Sequence, residues 1–327
     1  MKTKRIFSVP LFVLALAILT LGTLSSCGSS TVTTTPPTSQ NIYATSGNGV
    51  AVFPLTATGN VAPSANITGA NTTFVDAHRV AVDSTGKIYV TDTSAHKIDI
   101  FAAGATGNVA PVSTISGAAT LIQDPSGIAI DSTGKIYVSD QFGGNSIFVY
   151  AAGSTGNTAP VLTISGVATL LSSPNGIAVN SANIYVVNES EAPATNPSIT
   201  IYPITATGNV APATTIAGAA TGLSRPHAIA LDSAGKIYVT ESSSNSVLIF
   251  AANATGNVAP VATIAGSATT LSNPNGIAID ANGKIYVANN NNGVAIFAAG
   301  ASGNVAPVAT ISGASTTIGF LHGVDIH

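Results

Sequence analysis

This sequence predicts an all-β protein of six like units closed into a ring, and three observations carry that prediction. The phrase Gly-Ile-Ala-Ile-Asp at 127–131, followed by a turn and Lys-Ile-Tyr-Val, recurs along the chain. Its copies begin near Val80, Ile128, Ile177, Ile229, Ile277 and, incompletely, Val324, at steps of 48, 49, 52, 48 and 47 residues. A steady period of that length marks a stacked or radial repeat. A tyrosine recurs at one register of each unit, at Tyr43, Tyr89, Tyr137, Tyr185, Tyr238 and Tyr286, and a second aromatic follows at Phe53, Phe101, Tyr150, Tyr202, Phe250 and Phe297, so both counts are six. The two ends of the repeat region are complementary pieces of one unit, which is what a closed ring needs.

Within the unit spanning 125–166, apolar runs bounded by turn residues mark four short strands near Gly127–Ile130, Lys135–Ser139, Ser146–Tyr150 and Val161–Ser165, with no competing helical period. The first two are joined by Asp131-Ser-Thr-Gly134, in which the Asp side chain can bond nearby amides and Gly takes a positive φ. Asp83, Asp232 and Asp280 repeat the device and are read as turn residues; in the third copy Asn180-Ser-Ala-Asn183 is one residue shorter and lacks Gly. The Thr-Gly-Asn-Val-Ala-Pro segment at 106–111 and its copies introduce each outer strand as a turn. A four-stranded antiparallel unit that buries both faces against its neighbours is a propeller blade, so the fold class is a six-bladed β-propeller, with the recurrent aromatics as interblade packing. Residues 41–69 supply strands two, three and four of a blade, and Leu321–His327 supply only a first strand. Pairing the N- and C-terminal strands closes the ring without an exposed seam.

At Tyr89-Val-Thr-Asp92-Thr-Ser-Ala-His96-Lys97-Ile98-Asp99-Ile100-Phe101 the chain resembles the NHL repeat, a strand ending in Asp, then Asn-His-Arg or Lys, then a strand ending in Phe, with Ala95 in place of the Asn. Other blades keep Pro-x-Gly-Ile-Ala-x-Asp and Lys-Ile-Tyr-Val but not the Asn-His pair. The resemblance spans 41–327 and implies a six-bladed NHL-like propeller, with His96 a structural feature of its loop.

Residues 1–27 read as a secretion signal: Lys2, Lys4 and Arg5 precede an apolar run from Ile6 to Leu21, and Leu24-Ser25-Ser26-Cys27 follows. Small residues before a cysteine resemble the bacterial lipobox, which implies acylation of Cys27 and a lipoprotein. Residues 28–40 (GSSTVTTTPPTSQ) read as a flexible tether, leaving 41–327 as the propeller. Cys27 is the single cysteine, so cysteine nucleophiles and disulfides are excluded. Seven basic residues remain after the signal against thirteen acids, scattered among the repeats, which excludes a nucleic-acid partner. The expected place is the cell envelope, lipid-anchored and extracytoplasmic, at the outer membrane in a Gram-negative cell because Gly28 rather than Asp follows Cys27. A monomer is expected.

In a propeller, the loops entering the inner strands and those joining strands two and three share one face, here called the top, around the channel mouth. Two polar rings are expected there: His78, Ser126, Asn175, His227, Asn275 and His322 before the inner strands, and Asp92, Asp140, Asn188, Glu241, Asn289 and Ser46 at the ends of the second strands. From these, His78, Asp92, Asp140, Asn175, His227, Glu241, Asn275 and His322 are the candidate binding residues, joined by Glu189 and Glu191 from an insertion between Asn188 and Ser198 that either adds specificity or is a Pro-stiffened loop. His78, His227 and His322 have the ligand type for a divalent metal, zinc or calcium, although their blades are unevenly spaced; a hydrated polar rim is the other reading. Asp325, standing where other units carry Ala, is either a ligand or part of a frayed end. No Ser-His-Asp spacing or phosphate-cradling loop appears. The function expected is a non-catalytic recognition propeller for a peptide, glycan or envelope protein. The alternative is a metal-dependent lyase or lactonase, of the streptogramin-lyase, peptidyl-amidoglycolate-lyase or SMP-30-like type, with an imidazole as general base.

Overall fold

Short runs of Ile, Val and Tyr between Gly- and Asp-rich turns are apolar on both sides, and such strands are stable only where both sheet faces are covered. The computed structural model describes residues 40–141, 144–189, 197–290 and 293–327, which form six four-stranded antiparallel sheets. The signal, Cys27, all but the last residue of the tether, and Glu191 lie outside the described residues. No helix among the described residues is long and apolar enough to cross a membrane.

The inner strands are Ala77–Val82, Pro125–Ile130, Pro174–Val179, Pro226–Leu231, Pro274–Ile279 and Leu321–Ile326; blades one to five and the closing blade are named in that order. Side chains from neighbouring blades share each core. Tyr89 and Ile100 of blade one pack with Ile128, Val138 and Phe148 of blade two, and Ile42 and Phe53 of the closing blade pack with Tyr286 and Ile296 of blade five. Burying a large aliphatic or aromatic side chain contributes about 1.5–3 kcal/mol, so these interblade layers dominate the stability.

In the closing blade Leu321–Ile326 pairs with Asn41–Ser46, which pairs in turn with Gly49–Pro54 and Ala65–Thr68. Ile42 lies opposite Ile326, and Tyr43 opposite Asp325. Asn41 N–H donates to the His327 carbonyl at 2.5 Å and His327 N–H returns the bond at 3.1 Å. Asp325 therefore sits inside a paired strand rather than at a frayed end.

The turn aspartates do more than shape the turn. Asp131 Oδ1 accepts from the Thr133 and Lys135 amides at 2.8 and 3.0 Å, while Oδ2 accepts from the Tyr137 hydroxyl at 2.9 Å. Asp83, Asp232 and Asp280 hold Tyr89, Tyr238 and Tyr286 in the same way. Asn180 substitutes in blade three, its Oδ1 taking the Ala182 and Asn183 amides. The Asn of each Thr-Gly-Asn segment is likewise a clamp between blades: Asn157 Oδ1 accepts from the Ala119 amide and Asn60 Oδ1 from the Ser315 amide, both at 2.7 Å. The second of these ties the closing blade to blade five.

Candidate functional site

Immediately after the inner polar ring, the strands carry Gly127, Gly176, Ala228, Gly276 and Gly323, and here neighbouring inner strands approach closely. A Cβ on Gly127 would collide with the Asn175 carbonyl oxygen, and one on Gly176 would lie 2.7 Å from Ala228 Cα. Blade one alone places a long side chain in this column. Arg79, only 7% exposed, crosses the channel. One terminal nitrogen donates to the Asn275 carbonyl at 2.7 Å and to the His322 carbonyl; the other donates to Asn175 Oδ1 at 3.0 Å and the His227 carbonyl at 3.4 Å. One guanidinium thus joins four other blades and closes the floor of the mouth. Burial lowers its pKa to about 10, with the Glu189 charge opposing, so it stays a cation at neutral pH. Sequence reasoning overlooked Arg79, although a charged residue in a column of Gly and Ala was visible there.

Above this floor the three imidazoles divide into two groups. His78 and His322 are tilted against each other with ring centroids 4.9 Å apart, and His78 Nδ1 lies 3.0 Å from the Ser126 carbonyl oxygen. Burial, then the Arg79 and His322 charges, hold the His78 pKa well below the usual histidine value. His322 is also lowered by burial, while Asp76, 4.0 Å away, works the other way. His227 Nδ1 lies 2.7 Å from Asn275 Oδ1, and its Nε2 lies 3.3 Å from Glu189 Oε1. Glu189 also accepts from Arg225 Nε at 2.7 Å and Asn175 Nδ2 at 3.2 Å. Burial acts to raise the Glu189 pKa, but the hydrogen bond and charge of His227, then Arg225 and Asn175, bring it to about 2. Among the described residues no group of three or more His, Cys, Asp or Glu is placed to hold a metal ion.

The outer ring has a different task from the one its residue types suggested. Asp92, Asp140 and Glu241 are fully buried. Asp92 accepts from the Val75 and Asp76 amides at 2.9 and 2.8 Å, Asp140 from Gln123 and Asp124 at 2.8 and 2.9 Å, and Glu241 from Ser224 and Arg225 at 2.8 and 2.7 Å. These carboxylates fix the loops that present the inner ring, and fixed loops are what make the mouth a defined surface. His96 occupies a left-handed corner at φ 54°, consistent with its expected place in the loop. A larger cleft of about 840 Å³ lies on the opposite face between blades two and three, but its Asp131 and Asn180 are turn groups already bonded locally.

The model of the NHL repeat matches residues 74–101, 123–150, 223–250 and 271–293. Four of the six blades are NHL repeats. The two blades outside the match of this NHL propeller are blade three, with its shortened turn and its insertion, and the closing blade, whose strands come from opposite ends of the chain. No curated protein matches the chain. Among solved structures, it is similar to a Bacteroides caccae protein of unknown function, at 10% identity and TM-score 0.63, covering 88% of this chain and 98% of that one. It is similar also to a chain of a nidogen/laminin complex, at 16% identity and TM-score 0.63 with the same coverages. At these identities the likeness is one of fold.

Proposed function

We propose that this NHL propeller is a non-catalytic recognition module, tethered to the cell envelope through Cys27, whose top face holds a peptide-bearing protein partner. The observation that carries the reading is the use to which the mouth's charged groups are put. Arg79 is bonded to four blades, Glu189 to three side chains, and Asp92, Asp140 and Glu241 to loop amides. A general base needs a pKa near the working pH, whereas burial and Arg79 make His78 a weak base. The same guanidinium repels a metal cation from between the imidazoles. What remains is a rigid, hydrogen-bonding surface, suited to binding more than to proton transfer. The matched chain from a nidogen/laminin complex supports this reading, since that structure is an assembly of two proteins.

Elemental analysis of the purified protein after mild dialysis separates the two classes. The binding reading expects no stoichiometric metal; zinc or calcium at one per chain that His227→Ala removes would replace it with the lyase or lactonase. Capture from envelope extract should then depend on top-face residues such as His322 and Phe320, and remain unchanged in Lys135→Ala on the opposite face.

A further inference from the structure

In five blades the residue ending the second strand directs a side-chain oxygen onto the loop that enters the inner strand. Asp92, Asp140 and Glu241 do so with carboxylates; Asn188 accepts from the Ser172 amide at 3.0 Å and Asn289 from Ser272 at 2.6 Å. The closing blade breaks the pattern. Its register partner of Leu321 is Ser46, as Asp92 is the partner of Ala77. The equivalent loop amides belong to Gly319 and Phe320, both exposed, and no acceptor among the described residues takes a hydrogen bond from them.

The hairpin beside them is also short. Only Gly47 and Asn48 separate the paired residues Ser46 and Gly49, whereas Thr93 to His96 separate Asp92 from Lys97. A pocket of about 380 Å³ opens there, with Asn48, Asn66, Thr317, Gly319, Phe320 and His322 on its walls. Among the described residues no Asp or Glu lines it; Asp76 stands just behind the wall, its Oδ1 4.0 Å from His322 Nε2 and 3.7 Å from where a Cβ on Gly47 would lie. The Phe320 ring, 66% exposed, offers an apolar edge.

We propose that this pocket binds an Asp or Glu side chain of the peptide partner, whose carboxylate takes the Gly319 and Phe320 amides as Asp92 takes Val75 and Asp76. Convergent backbone N–H groups form a natural carboxylate cradle. In the repeats an Asn oxygen takes one amide of this loop, at Asn188 and Asn289, whereas a carboxylate of Asp or Glu length takes both, at Asp92, Asp140 and Glu241. This inference rests on the recognition reading and names its ligand chemistry.

The test is an amide-resolved NMR titration of the full chain with acetyl-Ala-Glu-Ala-amide, its Gln twin, and sodium acetate. The Glu peptide should shift the Gly319 and Phe320 amides downfield, at least tenfold more tightly than the Gln peptide or acetate. Ser46→Asp, which supplies the carboxylate internally, should move the same two amides without peptide and weaken peptide binding at least tenfold; Ser46→Asn is the neutral counterpart, copying the arrangement at Asn188 and Asn289. Equal response to Glu and Gln peptides overturns the proposal, as do acetate matching the peptide and both Ser46 variants leaving peptide binding intact. If the Glu peptide fails while a protein partner is still captured at the top face, the pocket assignment falls and the recognition reading stands.

Discussion

Replacing Asp325 by the Ala found at Ala81, Ala129, Ala178, Ala230 and Ala278 should change the sign of its effect on stability with pH. Burial raises the Asp325 pKa from 3.8 to about 6, against hydrogen bonds from the Ile326 and Val82 amides, the latter at 2.8 Å. Because the folded pKa is the higher one, the folded state favours the protonated acid. Its contribution is fully present below the unfolded value of 3.8 and is lost as pH rises through about 6. At 1.36 kcal/mol per unit, the ionised group costs about 3 kcal/mol at pH 8. Asp325→Ala removes that cost and also the hydrogen bond to Val82, worth about 1 kcal/mol at any pH. The variant should be about 2 kcal/mol more stable than the parent at pH 8 and about 0.5 kcal/mol less stable near pH 4, where the unfolded carboxyl is already partly ionised. Urea unfolding of both proteins from pH 4 to 8 measures this. A variant that is destabilised throughout, or stabilised equally at every pH, refutes the reasoning.

Three further outcomes follow from the same structure. Deleting Leu321–His327 removes the fully buried Leu321 and the nearly buried Val324 and bares the edge of Asn41–Ser46; at about 1.5–3 kcal/mol for each side chain, the loss approaches the whole stability of a domain, and a truncated chain melting like the intact one contradicts it. Arg79→Met removes a cation that lowers both His78 and His322, so both should titrate at higher pH by NMR; unchanged titrations would place Arg79 elsewhere. Asn157→Ala breaks a bond to the Ala119 amide across two blades and should cost about 1 kcal/mol in urea unfolding, whereas an unchanged midpoint would show that the Asn is only a turn residue.

Why some features were legible in the sequence and others were not follows from how the ring is built. Strand order, blade number and closure all follow from local patterns repeated six times, so the aromatics at Tyr137 and Tyr150 and the half-blades at either end were enough to fix them. The inner ring at His78, Asn175, His227 and His322 was legible because register alone carries it to the mouth. The outer ring was legible in position but not in burial: an Asp at a strand end looks like a ligand until the neighbouring loop amides are seen to occupy it. Arg79 and the Asn of Thr-Gly-Asn act on blades far away in sequence, so their meaning emerges only when the ring has closed. The pocket beside Ser46 depends on what one blade lacks, and comparison among the blades reveals it once their loops are superimposed in register.

Hydrogen exchange of the propeller with and without a captured envelope partner tests the central claim most directly, since amides covered by a partner exchange slowly. The account predicts added protection confined to the top face, around Gly47–Gly49, Arg225–His227 and Gly319–His322. Protection confined to the opposite face, around the Asp131–Lys135 and Asp280–Lys284 turns, would contradict it.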